Sequence, residues 1–251
     1  MVDVGFWNTE RLSKGTKTRN TTKWKYSVRI LKELVSKCDI IILGEVTFTE
    51  RTEDDLHEYL SDAVGISHEV QLIRTHRHEP CGFAVIYNGL LSEDIEIKPV
   101  GKLTKRPYIL IKYTHASGFN RPVDYLICGT HALSGQGDGT LEEIDLMLTD
   151  IAHYRIAKSI LIGDMNYTPD RFDSIRGYSE NMAYKESILN LWRYVKPAQT
   201  YTHYWSRLDR WNLLDYLWKK ANVTATTIAL DNLSALKYNL VDHSHIMYSI
   251  S

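Results

Sequence analysis

Residues able to perform acid–base or metal chemistry follow short apolar runs at several points of this chain. The residues are Asn8 after Val2–Trp7, Glu45 after Ile40–Leu43, His131 after Leu126–Cys128, and Asp164 and Asn166 after Ile160–Ile162. Runs of this length rich in Ile and Val are typical of buried strands, so the polar side chains at their ends are expected to gather along one edge of a sheet. Such side chains can then converge on a shared cleft and perform acid–base chemistry there.

The C-terminal part of the chain adds a second group of the same kind. Asp215 lies inside the apolar run Leu213–Trp218, and Asp242 and His243 precede Ile246. A buried carboxylate is costly unless it is paired or bound to a cation. An imidazole is a suitable partner, because the carboxylate orients the ring and makes it more basic.

The elements that must position these residues follow from the hydrophobic spacing. Apolar residues at helical spacing predict three helices, marked by Trp24, Val28, Leu31 and Val35, by Leu56, Tyr59 and Leu60, and by Leu141, Ile144, Leu148 and Ile151. Thr140 and Glu143 predict a capping box at the start of the third. Between about residues 81 and 130, strands follow one another without helices. The pattern predicts an α+β fold, two packed mixed sheets flanked by helices.

Composition places the chain among ordinary globular proteins. It has 251 residues, of which 43% are hydrophobic and 24% are charged, and a single domain over residues 1–251 is expected. No run approaches the roughly 20 apolar residues of a membrane span, and residues 1–15 hold no apolar secretory region. Three cysteines without CxxC spacing fit a reducing compartment, so we expect a cytoplasmic protein, monomeric by default.

The charge balance does not identify a partner. Thirty basic and 31 acidic residues give a net charge of −1, unlike a protein that coats nucleic acid by charge alone. Residues 14–37 are locally basic, with Glu33 as the lone acid. A solvated helix face and a phosphate-contacting surface both remain open for this segment.

Taken together and in order, the polar motifs resemble those of the endonuclease/exonuclease/phosphatase superfamily, which has a deoxyribonuclease-I-like four-layer fold. The motifs are Phe6-Trp7-Asn8, Gly44-Glu45, Thr130-His131-Ala132, Gly163-Asp164-Met165-Asn166, Leu214-Asp215-Tyr216 and Asp242-His243. Singly they are weak, but as an ordered set spanning nearly the whole chain they are specific. Within the superfamily, His131-Ala132-Leu133-Ser134 is similar to deoxyribonuclease I and to the catalytic subunit of cytolethal distending toxins.

The resemblance implies a role for each matching residue. Glu45, with Asn8 and Asp242, would bind Mg²⁺ or Mn²⁺, because oxygen donors select hard cations. His243, oriented by Asp215, would act at the phosphate. His131 would be a second phosphate-facing histidine, supported by Glu79. Asp164 and Asn166 would position the attacking water. The residues that would contact the substrate are Arg74, His76, Arg77, Tyr204 and Arg207.

Three functions are compatible with this sequence. The first is a Mg²⁺-dependent DNA endonuclease, with nucleic acid as its partner. The second is a phosphatase or phosphodiesterase of the same fold acting on a phosphoinositide, a nucleotide or another small ester, suggested by Asn166-Tyr167 together with the near-neutral net charge. The third is a binding module without catalysis. Departures from the family pattern at Gly44, Met165 and Leu214 concern the choice of substrate, and the fold expectation does not depend on them.

Overall fold

The computed structural model describes residues 1–75, 81–100, 106–115, 122–132, 138–169, 191–199, 201–205, 210–230 and 241–251. Their main feature is a pair of six-stranded mixed sheets. The first sheet contains, in spatial order, β13 (Ala225–Thr227), β14 (Ile246–Ile250), β1 (Val2–Leu12), β2 (Ile40–Thr47), β4 (Cys81–Asn88) and β3 (His68–Ile73). Among the described helices, none is long and apolar enough to cross a membrane.

The second sheet has the same number of strands. In spatial order it contains β5 (Ile95–Val100), β6 (Tyr108–His115), β7 (Val123–His131), β8 (Lys158–Asp164), β12 (Asp215–Lys220) and β9 (Trp192–Val195). A separate two-stranded ribbon pairs β10 (His203–Trp205) with β11 (Arg210–Asn212). The helices are α1 (Lys14–Arg19), α2 (Thr21–Lys37), α3 (Glu53–Val64) and α4 (Asp138–His153), with a 3₁₀ turn at Gly89–Leu91.

Alternation along the strands builds the four layers. In β2, Ile40 and Ile42 belong to the apolar layer between the two sheets, whereas Ile41 and Leu43 pack with residues of α2 and α3 on the outer face. In β6, Ile109 belongs to the layer between the sheets, and Leu110 packs with residues of α4. Both faces of these strands are therefore covered, which explains their nearly continuous apolar sequence. The predicted α+β sandwich with flanking helices is confirmed.

The three predicted helices are present as α2, α3 and α4, but the predicted capping box is wrong. Thr140 lies inside α4 rather than at its N-terminus. The Glu143 carboxylate instead accepts the backbone N–H of Arg106 at 2.6 Å. Glu143 is buried, and a buried carboxylate is better satisfied by an N–H group from the segment that enters β6 than by a solvated cap.

Strand direction brings the polar ends together. β1 runs parallel to β2, and β7 runs parallel to β8, so their carboxyl ends share an edge of each sheet. In the second sheet His131 is the register partner of Asp164, and Asp164 is also the partner of Asp215 at the start of the antiparallel β12. Phe6 pairs with Ile246, which places the segment preceding β14 at the same edge. The predicted gathering of polar residues thus follows from the topology.

Gly163 makes the close approach of β7 and β8 possible. Its φ is +156°, and a Cβ atom there would lie 2.0 Å from the carbonyl oxygen of Thr130. We expect Gly163→Ala to destabilise the protein by about 1–3 kcal/mol, because the backbone must move to accept the methyl group.

Gly139→Ala in α4 is the matched control. A Cβ atom added to Gly139 would have no atom of the described residues within 4 Å, so this variant should gain about 0.5–1 kcal/mol. Urea unfolding of both variants measures the difference, and equal stability would contradict the close approach.

Candidate active site

Asp164, the last residue of β8, lies at the centre of the polar cluster and is 1% exposed. Its Oδ2 accepts a hydrogen bond from Asn8 Nδ2 at 3.0 Å. The same oxygen lies 3.7 Å from Nε2 of His131 and 3.7 Å from Nε2 of His243. Its Oδ1 accepts the backbone N–H of Asn166 at 2.8 Å. One carboxylate therefore connects residues from both sheets.

His243 is held by Asp215, which contacts its ring, and by Trp7, which binds its backbone carbonyl group. Its Nδ1 lies 2.8 Å from Asp215 Oδ2, and its carbonyl oxygen accepts the indole N–H of Trp7 at 3.2 Å. Burial disfavours the charged ring, but the carboxylates of Asp215 and Asp164 outweigh it and raise the pKa of His243 to about 10. At neutral pH the ring is therefore an imidazolium, which donates from Nδ1 to Asp215 and presents Nε2–H towards Asp164.

His131 is held in the opposite protonation state. Burial lowers its pKa to about 4, and the charges of Arg106 and His243 act in the same direction. Arg106 Nη1 lies 3.4 Å from Nδ1 of the ring, and Glu45 Oε1 lies 3.1 Å from Nε2. Because a guanidinium only donates, Nδ1 is the acceptor and Nε2 carries the proton that faces Glu45. The site thus contains one neutral and one charged histidine.

Acidic side chains beside the histidines fit a divalent cation. Burial raises the pKa of Asp242 to about 6, and the nearby charges of Glu10 and Glu45 act in the same direction. The Oδ1 atom of Asp242 is buried and has no hydrogen-bond partner among the described residues. Lys23 Nζ lies 2.8 Å from Glu10 Oε2 and neutralises part of this charge. Carboxylate oxygens from Glu45 and Asp242, with the amide oxygen of Asn8, form a donor set suited to Mg²⁺ or Mn²⁺.

The backbone is strained at the same edge. Among the described non-glycine residues with positive φ, all except Arg155 belong to this region. They are Glu10 (50°), Arg11 (62°), Glu45 (53°) and Asn166 (48°). The register between β1 and β2 shifts between Asn8 and Leu12, so the Glu10 and Glu45 side chains depart from simple strand alternation. Strain of this kind persists where surrounding structure fixes a functional geometry.

The structure brings most of the predicted site residues to one place. They are Asn8, Glu45, His131, Asp164, Asn166, Asp215, Asp242 and His243. Glu79, His76, Arg77 and Arg207 lie outside the described residues, so their predicted roles stay predictions. Within the described chain, the carboxylates beside His131 Nε2 are those of Glu45, at 3.1 Å, and Asp164, at 3.7 Å.

Two predicted substrate contacts have other partners in this structure. Arg74 forms ion pairs with Glu50 and Glu53 on the surface. The backbone N–H of Tyr204 in β10 donates to the carbonyl oxygen of Asp242 at 2.9 Å. Tyr204 therefore lies next to the cluster, whereas the charge of Arg74 is neutralised locally.

The basic segment at residues 14–37 is partly neutralised as well. Lys14 pairs with Asp55, Lys23 with Glu10 and Lys37 with Glu33. Others, such as Lys25 and Arg29 in α2, are exposed. Exposure is compatible with either interpretation, so the choice between a solvated face and a phosphate-contacting surface stays open.

Sequence reasoning assigned no chemistry to three residues that the fold places in the site. Glu10 reaches it through the register shift in β1, and Arg106 reaches His131 from the segment before β6. His203 in β10 lies against His243, with ring centroids 4.6 Å apart. A cation just before the Tyr108–Ile111 run was the available signal for Arg106. His203 belongs to the aromatic stretch at residues 201–207, whose pattern favours a core strand slightly over a stacking surface for nucleic acid.

A groove opens beside His131. It has about 280 Å³ of free volume, continuous with solvent. The residues that line it are Glu45, Thr75, Cys81, Gly82, Phe83, Arg106, Pro107 and His131. A substrate whose phosphate lies near His131 and Glu45 can therefore extend a neighbouring group into this space.

Binding of Mg²⁺ should weaken as pH falls, because Asp242 must be ionised to act as a ligand. With a pKa of about 6, this carboxyl group takes up a proton as pH drops through that value. We expect the Kd for Mg²⁺ to be nearly constant above pH 7 and to rise up to about tenfold per pH unit below pH 6. Calorimetry from pH 5 to 8 measures the trend. Asp242→Asn should remove this pH dependence, and an unchanged slope in the variant would contradict the assignment.

Comparison with known proteins agrees with the geometry. The sequence profile described as "Endonuclease/Exonuclease/phosphatase family" matches residues 5–235. The search of curated proteins gives no match.

Solved structures share the fold across the whole chain. The crystal structure of ANGEL2, described as a 2',3'-cyclic phosphatase, has a TM-score of 0.63 at 14% identity and covers 99% of this chain and 95% of that chain. TDP2 from C. elegans has a TM-score of 0.62 at 15% identity, covering 99% and 74%. Beta toxin from Staphylococcus aureus has a TM-score of 0.63 at 13% identity, covering 99% of both chains. At these identities the likeness concerns the fold, and the closer similarity to the toxin subunit stays a prediction.

Proposed function

Because the chain belongs to the endonuclease/exonuclease/phosphatase family, whose members are hydrolases acting on phosphate esters, we propose that it is a Mg²⁺-dependent phosphodiesterase that cleaves DNA. The observation that carries the proposal is the position of Asp164 between a charged His243 and a neutral His131, beside carboxylates suited to a cation. Phosphodiester hydrolysis needs these components together: an oriented water, positive charge at the phosphate and assistance to the leaving alkoxide.

Each residue of the site has a separate role in the proposed hydrolysis. Asp164 and Asn166 orient the attacking water, and the buried carboxylate of Asp164 accepts a hydrogen bond from it. His243, charged and fixed by Asp215, stabilises the negative charge that develops on the phosphate oxygens. When bound by Glu45, Asp242 and Asn8, the divalent cation supplies further positive charge to the phosphate.

His131 and Arg106 lie on the side of the site that faces the groove. The Nε2–H group of His131 faces Glu45 and would be available to a phosphate oxygen if Glu45 held the cation, and Arg106 keeps the ring in that tautomer. The adjoining groove, which is continuous with solvent, lies on the side where the substrate would continue beyond the cleaved bond.

The residue that suggested a small phosphate ester has another role in this structure. Tyr167 is 5% exposed and packs with residues of α4, and its carbonyl oxygen accepts the hydroxyl of Tyr216 at 2.8 Å. The ring of Tyr167 is therefore a core residue and does not recognise a ligand. The Tyr167 ring therefore gives no support to a small-ester substrate, whereas the near-neutral net charge of the chain remains compatible with one.

The test is cleavage of supercoiled plasmid by the purified protein with Mg²⁺, with Mn²⁺ or with EDTA, beside His243→Ala and the control His153→Ala on the exposed end of α4. We expect metal-dependent nicking that is lost with EDTA and with His243→Ala but retained by His153→Ala. An intact plasmid with phosphate release from nucleotides or phosphoinositides would overturn the DNA proposal. The absence of any metal-dependent turnover on either substrate class would favour a binding module.

A further inference from the structure

A third histidine, His203, lies in contact with His243 and has no role in the proposed reaction. His203 pairs with His243 through an isolated antiparallel bridge, and the two rings are inclined by 45°. The neighbouring backbone bonds hold both segments together. Tyr204 N–H donates to the Asp242 carbonyl oxygen at 2.9 Å, and Ser244 N–H donates to that of Thr202 at 2.7 Å. The position of His203 is therefore built into the fold.

Three potential metal-binding atoms converge at this contact. One nitrogen of His203, one carboxylate oxygen of Asp242 and one nitrogen of His243 lie within 4.8 Å of one another. The measured separation between His243 Nε2 and Asp242 Oδ1 is 3.9 Å. To bind a common ion at about 2.0–2.2 Å, the three side chains would have to move closer together.

Two of the side chains at this contact carry unsatisfied atoms. Nδ1 of His203 and Oδ1 of Asp242 are buried, and neither has a hydrogen-bond partner among the described residues. A buried polar atom without a partner costs about 1–3 kcal/mol. Two such atoms in one cluster point to a bound group that satisfies them.

His243 is already oriented as a metal ligand would be. Its Nδ1 is 2.8 Å from Asp215 Oδ2, so Nε2 is the ring nitrogen left to coordinate an ion, and binding of the ion releases the proton that Nε2 otherwise carries. A carboxylate that accepts the second ring N–H of a ligating histidine is the usual outer support of such a site. Asp215 itself is completely buried, so the ring orientation is fixed in advance.

We propose that His203, Asp242 and His243 form a binding site for a first-row transition ion, with Zn²⁺ as the expected occupant. Two imidazole nitrogens and one carboxylate suit Zn²⁺, whereas Mg²⁺ selects oxygen ligands. The set differs from that assigned to Mg²⁺, which uses Glu45 and Asn8, and the two sets share Asp242.

Because both metal sites use Asp242, Zn²⁺ binding has a consequence for catalysis. This consequence rests on the proposed function. Zn²⁺ at this site occupies Nε2 of His243, the atom that faces the phosphate, and draws Asp242 away from the oxygen donors. Zn²⁺ should therefore inhibit the Mg²⁺-supported reaction, and excess Mg²⁺ should relieve the inhibition only in part.

Calorimetric titration with Zn²⁺ in the presence of millimolar Mg²⁺ tests the site without any assay of turnover. We expect His203→Asn to weaken Zn²⁺ binding by at least about tenfold, whereas Glu45→Gln and the surface variant His153→Asn change it by less than about threefold. Equal affinity in His203→Asn and the unaltered protein would overturn the proposal, as would loss of Zn²⁺ binding in Glu45→Gln alone. Circular dichroism confirms that each variant is folded.

A plasmid assay with added Zn²⁺ separates this proposal from the proposed function. Zn²⁺ inhibition that is weakened in His203→Asn supports both. His203-dependent Zn²⁺ binding by a protein that cleaves no DNA supports the metal site and overturns the nuclease. DNA cleavage with Zn²⁺ binding that does not depend on His203 supports the nuclease and overturns the metal site.

Discussion

Replacing His243 with Asn is expected to lower kcat for phosphodiester cleavage by about 10²–10⁴-fold, the usual contribution of a group that acts on the reacting atoms. The charged ring that faces Asp164 disappears, and Asp215 loses the partner that its buried carboxylate contacts at 2.8 Å. Asn keeps a polar side chain but carries no positive charge for the phosphate. Steady-state kinetics on plasmid and on an activated diester measure the loss.

A histidine two residues away provides the control for this variant. His245 is 2% exposed, and its Nε2 lies 3.3 Å from Glu33 Oε2, so His245→Asn also breaks a buried pair in the same segment. We expect it to reduce stability while changing kcat by less than about threefold, because its ring does not face Asp164. Similar losses of kcat in the two variants would show that His243 acts only through folding.

The sequence was informative about the layers and about the residues at strand ends. Runs such as Ile40–Leu43 are apolar at every position because both faces of β2 are covered, one by the second sheet and one by helices. A polar residue after such a run lies where the strand leaves the core. His131 and Asp164 were therefore expected at one edge of a sheet, and the pairing of β7 with β8 places them opposite each other there.

Contacts that depend on irregular backbone were not predictable in the same way. Glu10 reaches the cluster through a register shift and a positive φ of 50°, neither of which leaves a periodic signal. His203 meets His243 through a single bridge between segments 40 positions apart in the chain. The Thr140–Glu143 motif matched a cap locally, but the N–H group of Arg106 uses the Glu143 carboxylate. In each case, a contact between residues far apart in the sequence determined where the side chain lies.

Asp164→Asn should cause a loss of kcat of similar size, about 10²–10⁴-fold, through a different physical effect. The buried carboxylate lies 3.7 Å from Nε2 of both histidines and helps raise the pKa of His243. An amide keeps the shape and still accepts the Asn166 N–H group, but it removes the negative charge between the two rings and places an N–H group where Oδ2 accepted from Asn8 Nδ2. The pKa of His243 should therefore fall, since the buried ring keeps only Asp215 as a strong carboxylate partner.

NMR titration of the histidine ring signals measures that fall while kinetics measure the loss of kcat. Asp124→Asn is the matched control, because Asp124 is an exposed carboxylate that accepts the hydroxyl of Thr114 at 2.8 Å in the same sheet. It should leave both quantities unchanged. If Asp164→Asn kept more than about a tenth of the activity, the attacking water would have to be oriented elsewhere. If activity fell without a change in the pKa of His243, Asp164 would act on the water alone and would not be coupled to the imidazolium.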